Sequence, residues 1–120
     1  MTNPFKEIDT FAAAMDQPPS ADNYTMYLSL IDEEYTELQD AVKANDSVEQ
    51  LDALIDILVV TIGAVRAAGW DGEAAWKEVM RTNFAKIDPK TGKVIKRADG
   101  KVLKGPDWIP PNLEQFVNPK

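Results

Sequence analysis

Four stretches of the chain repeat their apolar residues every three or four positions, the period of a helix lying against a core. The first predicts a helix over about Pro4–Asp16, with Phe5, Ile8, Phe11, Ala12 and Met15 on one face. Pro18-Pro19 stops it, because proline lacks the amide hydrogen and clashes with the preceding turn. The second helix is expected from near Asp22 to Ala44. Its apolar arc holds Tyr27, Leu28, Leu30, Ile31, Tyr35, Leu38, Ala41 and Val42. Asn45-Asp46-Ser47 reads as a tight turn, and Ser47 followed by Gln50 fits a capping box that opens a third helix. That helix runs to about Ala68, where Gly69 supplies the stop. Asp71 caps a fourth, from Gly72 to about Ile87.

Beyond Asp88-Pro89 the helical period disappears, and the chain becomes rich in Gly, Pro and Lys. Asp99-Gly100, a pair favoured in type I′ turns, lies between Lys93–Lys96 and Lys101–Lys104 and predicts at most one small hairpin. The expected fold is therefore all-α: one domain over residues 1–120, with a four-helix bundle-type body over about 4–87. An irregular C-terminal arm over about 88–120 completes it.

Composition narrows the chemistry. Twenty acids against 13 bases leave a net charge of −7, which argues against nucleic acid as a partner, since phosphate contact needs a basic face. There is no cysteine and no histidine. That removes disulfides, thiolate zinc sites, imidazole ligands and every nucleophile activated by histidine. Any chemistry must rest on carboxylates, lysines, arginines and a bound metal. Met1 to Lys6 lacks the basic-then-apolar form of a signal peptide. The longest apolar run, Ala53 to Ala68, is too short to span a membrane and carries Asp56 and Arg66. A cytoplasmic protein is expected.

The acids are not scattered. Glu34 falls inside the apolar arc of the second helix, with Glu33 and Glu37 at its borders. A carboxylate there is costly unless it is paired with a base or bound to a metal. The third helix, from Ala53 to Val65, is apolar nearly all round with Asp56 its only charge, the pattern of a helix covered on most sides. Asp56, Asp52 and Glu49 lie within roughly 60° of arc on it. Folding the two helices back at Asn45-Asp46 brings Asp56 level with Tyr35, between Glu34 and Glu37, with Asp52 about a turn closer to the loop. Four or five carboxylates then converge in a partly apolar place, an arrangement that repels itself without cations. Oxygen ligands alone select a hard ion, magnesium or manganese, over zinc.

Glu33-Glu34-Tyr35-Thr36-Glu37 has the E-E-x-x-E form of the all-α nucleoside triphosphate pyrophosphohydrolases. This is the MazG-like superfamily, which includes dimeric dUTPases, dCTP pyrophosphatases and phosphoribosyl-ATP pyrophosphohydrolases. Asp52-Ala53-Leu54-Ile55-Asp56 resembles the superfamily's second acidic motif, E-x-x-D. Asn83-Phe84-Ala85-Lys86 and the tail from Arg97 to Pro111 resemble one bacterial and phage branch. The likeness spans nearly the whole chain. One departure stands out: the glutamate expected three residues before Asp56 is Ala53. Asp52, one position earlier, shares the helix face and is its natural substitute, while the literal E-x-x-D is Glu49 to Asp52.

The resemblance implies a magnesium-dependent hydrolysis of a nucleoside triphosphate to monophosphate and pyrophosphate, in nucleotide-pool housecleaning. It assigns Glu34, Glu37, Asp52 and Asp56 to Mg²⁺, with Mn²⁺ a possible substitute. Glu33 becomes the candidate for orienting or deprotonating water. Asn83, Lys86, Lys101 and Lys104 become candidates for the nucleotide and its phosphates. Trp108 and Ile109-Pro110-Pro111 are expected to pin the arm, and Trp70 and Trp76 to serve a core or interface. Relatives assemble as homodimers or dimers of dimers, which an all-round apolar third helix would suit. Two alternatives remain open at this level: a narrow dUTP or dCTP pyrophosphatase, and a non-catalytic acidic helical module.

Overall fold

A computed structural model of the chain describes residues 2–105 and 107–117. Pro106 of the tail motif lies outside them, as do Met1 and residues 118–120. The all-α expectation holds, with five helices and one two-stranded ladder among the described residues. None of these helices is long and apolar enough to cross a membrane. The chain divides into two compact units, Met1–Gly72 and Glu73–Lys120.

The first unit holds α1 (Pro4–Ala14), α2 (Ala21–Lys43) and α3 (Ser47–Ala67). Each start is capped by a short polar side chain: Asn3 accepts from the Lys6 amide, Ser20 from Asn23 and Asp46 from Glu49. The expected box at Ser47 and Gln50 is therefore displaced by one residue. Ser47 is the first helical residue, and the Gln50 side-chain amide instead donates to the Ala41 carbonyl at 3.4 Å. All three helices end alike, with a left-handed residue after the cap. Asp16 (φ 54°), Asn45 (φ 55°) and Gly69 (φ 79°) take that place. Gln17, Asp46 and Trp70, one residue further on, donate back to Ala12, Ala41 and Val65. Asp and Asn tolerate this conformation by hydrogen bonding locally, so α1 stops two residues before its expected end.

The turn between α2 and α3 is consequently minimal: Asp46 closes one helix with its amide and opens the next with its carboxylate. The two helices pack at close range because their facing residues are small. Gly63 lies directly beneath the Tyr27 ring, where an added Cβ would collide with it. Tyr27, Ala64 and Ala67 are buried, and Tyr24, Leu30, Ile31 and Val60 pack around them. Arg66 ties α1 down, its Nε on Asp9 Oδ1 at 2.7 Å and its Nη1 on the Gln17 carbonyl at 2.6 Å. One sequence expectation needs correction. Val48, Leu51, Leu54, Ile55 and Leu58 are between 49% and 76% exposed, so the chain does not by itself cover α3 on most sides.

The second unit opens with α4 (Gly72–Phe84), three residues shorter than expected. The residue before a proline disfavours the helical region, and Ile87–Asp88, ahead of Pro89, instead forms β1. It pairs antiparallel with β2 (Lys93–Val94). The hairpin expected at Asp99-Gly100 is reduced to a single bridge, Lys96 to Val102. Its turn is not type I′, since Asp99 keeps a negative φ and only Gly100 is left-handed (φ 89°). Gly100 donates to the Arg97 carbonyl and the Arg97 amide to Lys101, the form of a three-residue loop closed by glycine. Asp99 spends its carboxylate on the Arg97 guanidinium and the Lys101 amide. A four-residue helix, α5 (Glu114–Val117), adds an element the sequence did not announce.

Candidate active site

On α2, Glu34 and Glu37 are three residues apart and share a face; on α3, Asp52 and Asp56 are four apart and do the same. The hairpin brings the two pairs together. Glu34 is half-buried, and its Oε2 is sealed from solvent with no hydrogen-bond partner. Its carboxyl is pushed up from 4.5 to about 7. Burial is the largest cause, followed by a hydrogen bond to Glu37 and then by the negative charges of Glu37, Asp56 and Asp52. Asp56, also half-buried, is pushed up by burial first and by Asp52 and Glu37 second. Glu37 and Asp52 are exposed. The cluster thus has two recessed carboxyls beneath two open ones. No lysine or arginine among the described residues answers Glu34, so a salt bridge does not account for its place in the apolar arc.

Between the cluster and the interhelical turn an open groove of about 570 Å³ continues the acidic surface. Glu37, Asp40, Glu49 and Asp52 line it, and Ala41 and Ala53 keep its floor low. Ala53, the departure from the superfamily motif, is buried at 3% exposure. It leaves room where a longer side chain would stand. Asp40 escaped the sequence reading, although its position three residues beyond Glu37 was the available signal. Glu49 faces the groove but is not among the groups that raise Glu34 or Asp56.

Do these residues fit a divalent cation? The donor set is oxygen only, four carboxylates with no competing base, and the sealed Glu34 Oε2 is a buried acceptor that a hard cation would satisfy. Among the described residues no three carboxylates already surround a single point, so closing them around an ion takes rotation of the open Glu37 and Asp52. Both are exposed, and Glu37 would exchange its hydrogen bond to Glu34 for the ion. The fit is one of chemistry and proximity.

Glu33 is exposed on α2, beside the cluster and outside its hydrogen bonding. The other sequence candidates lie in the second unit. Asn83 is exposed, and the buried polar residue of α4 is its neighbour Thr82, 3% exposed. Asn83 Oδ1 accepts from Lys86 Nζ at 3.1 Å. Lys104 Nζ stands 4.5 Å from the centre of the Trp108 ring, and Lys86 Nζ 5.6 Å. Lys101 is exposed on the glycine-closed loop. Trp108 does pin the arm, donating from Nε1 to the Thr82 carbonyl at 2.8 Å. Asn112 does so too, its backbone N–H donating to Glu78 Oε2 at 2.7 Å. Trp70 packs edge-on against Tyr24, while Trp76 is 57% exposed.

Comparison with known proteins adds one finding to this geometry. Residues 8–83, well over half of the chain, match the family model described as phosphoribosyl-ATP pyrophosphohydrolase. The match contains both acidic motifs. No curated protein matches the chain.

Proposed function

The chain belongs to the phosphoribosyl-ATP pyrophosphohydrolase family, part of the MazG-like all-α superfamily, and from that premise we propose a magnesium-dependent nucleoside triphosphate pyrophosphohydrolase. Family membership makes it a hydrolase of acid anhydrides, acting on nucleotide pyrophosphate bonds, and sets aside a non-catalytic module. The proposed reaction converts a (deoxy)nucleoside triphosphate and water to the monophosphate and pyrophosphate, in the cytoplasm.

One observation carries the metal assignment: Glu34 Oε2 is sealed without a hydrogen-bond partner, and the charges of Glu37, Asp56 and Asp52 all raise its carboxyl, in a chain without histidine or cysteine. Glu34, Glu37, Asp52 and Asp56 would hold Mg²⁺, or Mn²⁺ in its place. When bound, the ion supplies neutralisation of the phosphate charge and a lowered pKa for water. The chain's own part is to fix the recessed pair, Glu34 and Asp56, by helix packing, while Glu37 and Asp52 would turn to complete the ion's ligand set. Glu33 would be the group that orients or deprotonates the attacking water. Asn83, Lys86, Lys101 and Lys104 would engage the nucleotide.

The assembly we propose is a homodimer or a dimer of dimers, because the exposed apolar face of α3 is too large to leave in water. Light scattering at micromolar concentration tests it, and a monomeric mass refutes it. The reaction is tested by pyrophosphate release from a panel of canonical nucleotides, dUTP, dCTP and phosphoribosyl-ATP, with and without Mg²⁺. Release from phosphoribosyl-ATP alone would narrow the substrate to the one in the family's name. Orthophosphate as product, or no turnover across the panel, would refute the assignment.

A further inference from the structure

Two Asp-Gly pairs occur in the chain, Asp71-Gly72 and Asp99-Gly100. Such a pair can close on itself, because glycine has no Cβ to keep its amide nitrogen away from the preceding carboxyl. The glycine nitrogen gives up its proton to solvent and bonds to the aspartate Cγ. The Cγ–OH bond breaks and one water departs, leaving a five-membered succinimide. Water then opens either carbonyl of that ring. One opening returns aspartate; the other gives isoaspartate, with the main chain routed through the side-chain carbon. The reaction needs a neutral carboxyl, since an ionised one has no hydroxyl to lose, and it needs room for the backbone to turn.

The fold treats the two pairs differently. Gly72 is the first residue of α4 and is closely packed: an added Cβ there would meet Val65 Cγ1 at 2.9 Å and Phe5 Cε1 at 3.1 Å. Its amide donates to the Trp70 carbonyl. Gly100 lies on the exposed loop of the arm, with a left-handed φ of 89° and nothing within 4 Å of an added Cβ. There, Arg97 holds both reacting groups. Its carbonyl accepts from the Gly100 amide at 2.9 Å. Its guanidinium donates to the Asp99 carboxylate, at 2.6 Å from Nη2 and 3.2 Å from Nε. The Lys101 amide adds a bond to the same carboxylate at 3.1 Å. Together these hold the Asp99 carboxyl below its ordinary range, Arg97 being the largest cause. We propose that Asp99-Gly100 is a site of spontaneous isoaspartate formation, and that the Arg97 side chain is the brake on it. The two side chains of the ion pair are 50% and 60% exposed, so the brake slows the reaction without abolishing it. Once formed, isoaspartate lengthens the main chain by one carbon inside a loop closed by the Arg97 amide on the Lys101 carbonyl, which dismantles the geometry that restrained it. The inference stands apart from the proposed reaction.

The test is to incubate the full chain at constant neutral pH and temperature, folded and in urea, and to follow isoaspartate at each pair by peptide mass spectrometry. In urea both pairs should convert at similar rates. In the folded wild type Asp99 should convert slowly and Asp71 not measurably. Arg97→Ala should speed conversion at Asp99 about fivefold, the size expected for one exposed ion pair, and leave Asp71 unchanged. Arg97→Lys keeps the charge but loses the two-donor fork, and its rate should fall between. In urea the three proteins should behave alike. Four results would overturn the proposal: equal conversion at Asp71 and Asp99 in the folded wild type, an unchanged rate at Asp99 in folded Arg97→Ala, a difference between the two that persists in urea, or no isoaspartate at Asp99 in folded Arg97→Ala over a span that converts the chain in urea. Asp71 also reports on the fold. If it converts in Arg97→Ala, that variant has opened, and Arg97→Lys against wild type decides alone.

Discussion

Replacing Glu34 by glutamine should make the metal-free protein more stable at pH 8 and should remove most of its response to magnesium. The glutamine keeps the volume and can still donate to Glu37, but it carries no charge. In the folded chain the Glu34 carboxyl is raised from 4.5 to about 7. The native state therefore holds this proton more tightly than the unfolded chain does. Its stabilising contribution is complete below about pH 4.5 and is lost as pH rises through 7. At 1.36 kcal/mol per unit, the shift corresponds to roughly 3 kcal/mol. Sharing among coupled carboxylates and solvent at the open pair reduce this, so we expect about 1–3 kcal/mol. At roughly 4 °C per kcal/mol for a chain of this size, Glu34→Gln should melt about 4–12 °C higher in EDTA at pH 8. The gap should close as pH falls towards 4.5. Magnesium at ten times its dissociation constant should stabilise wild type by about 1.4 kcal/mol and the variant much less. Calorimetry at constant ionic strength reads both effects. Equal melting temperatures in EDTA at pH 8, or equal responses to magnesium, would refute the account of a sealed, cation-seeking carboxylate.

The ordering of acidic variants tests the register of the two helices. Asp56→Asn should lower magnesium-dependent pyrophosphate release by about 100-fold or more, Asp52→Asn less, and Glu49→Gln least; the reverse order would move the working pair one turn towards the loop. Gly63→Ala should destabilise the fold by about 1–2 kcal/mol in urea, because collision with the Tyr27 ring outweighs the helix-propensity gain; no change would mean the ring yields freely. Glu78 is held down at about 2 by Arg81 and the Asn112 amide, so what it adds to stability is present above 4.5 and lost as pH falls towards 2. Glu78→Ala should flatten that acid limb and speed proteolysis of the arm, and unaltered cleavage would show that the arm is fastened elsewhere.

Much of this was legible in the order of residues. The 3.6-residue period and the stops at Pro18-Pro19, Asn45 and Gly69 locate the helices because caps and breakers act within a single turn. A glutamate inside an apolar arc and one aspartate in an apolar run point to a shared site. A short interhelical turn leaves few choices of height, so Glu34, Glu37, Asp52 and Asp56 come together as the spacing implies. Local chemistry also explains the near misses. Asp46 competed with Ser47 for the same cap, and Pro89 keeps Ile87–Asp88 out of α4. What the order of residues could not contain is relation across distance. Whether Glu34 is paired or sealed depends on which side chains α3 brings opposite it. The exposure of α3 depends on how much surface the rest of the chain can cover, which no helical period records. The order of residues singles out Lys86, Lys104 and Trp108 one by one but says nothing of their relation to each other. Only the fold of the arm places both charges against one ring, since an interaction among three separated residues is specified by tertiary structure alone.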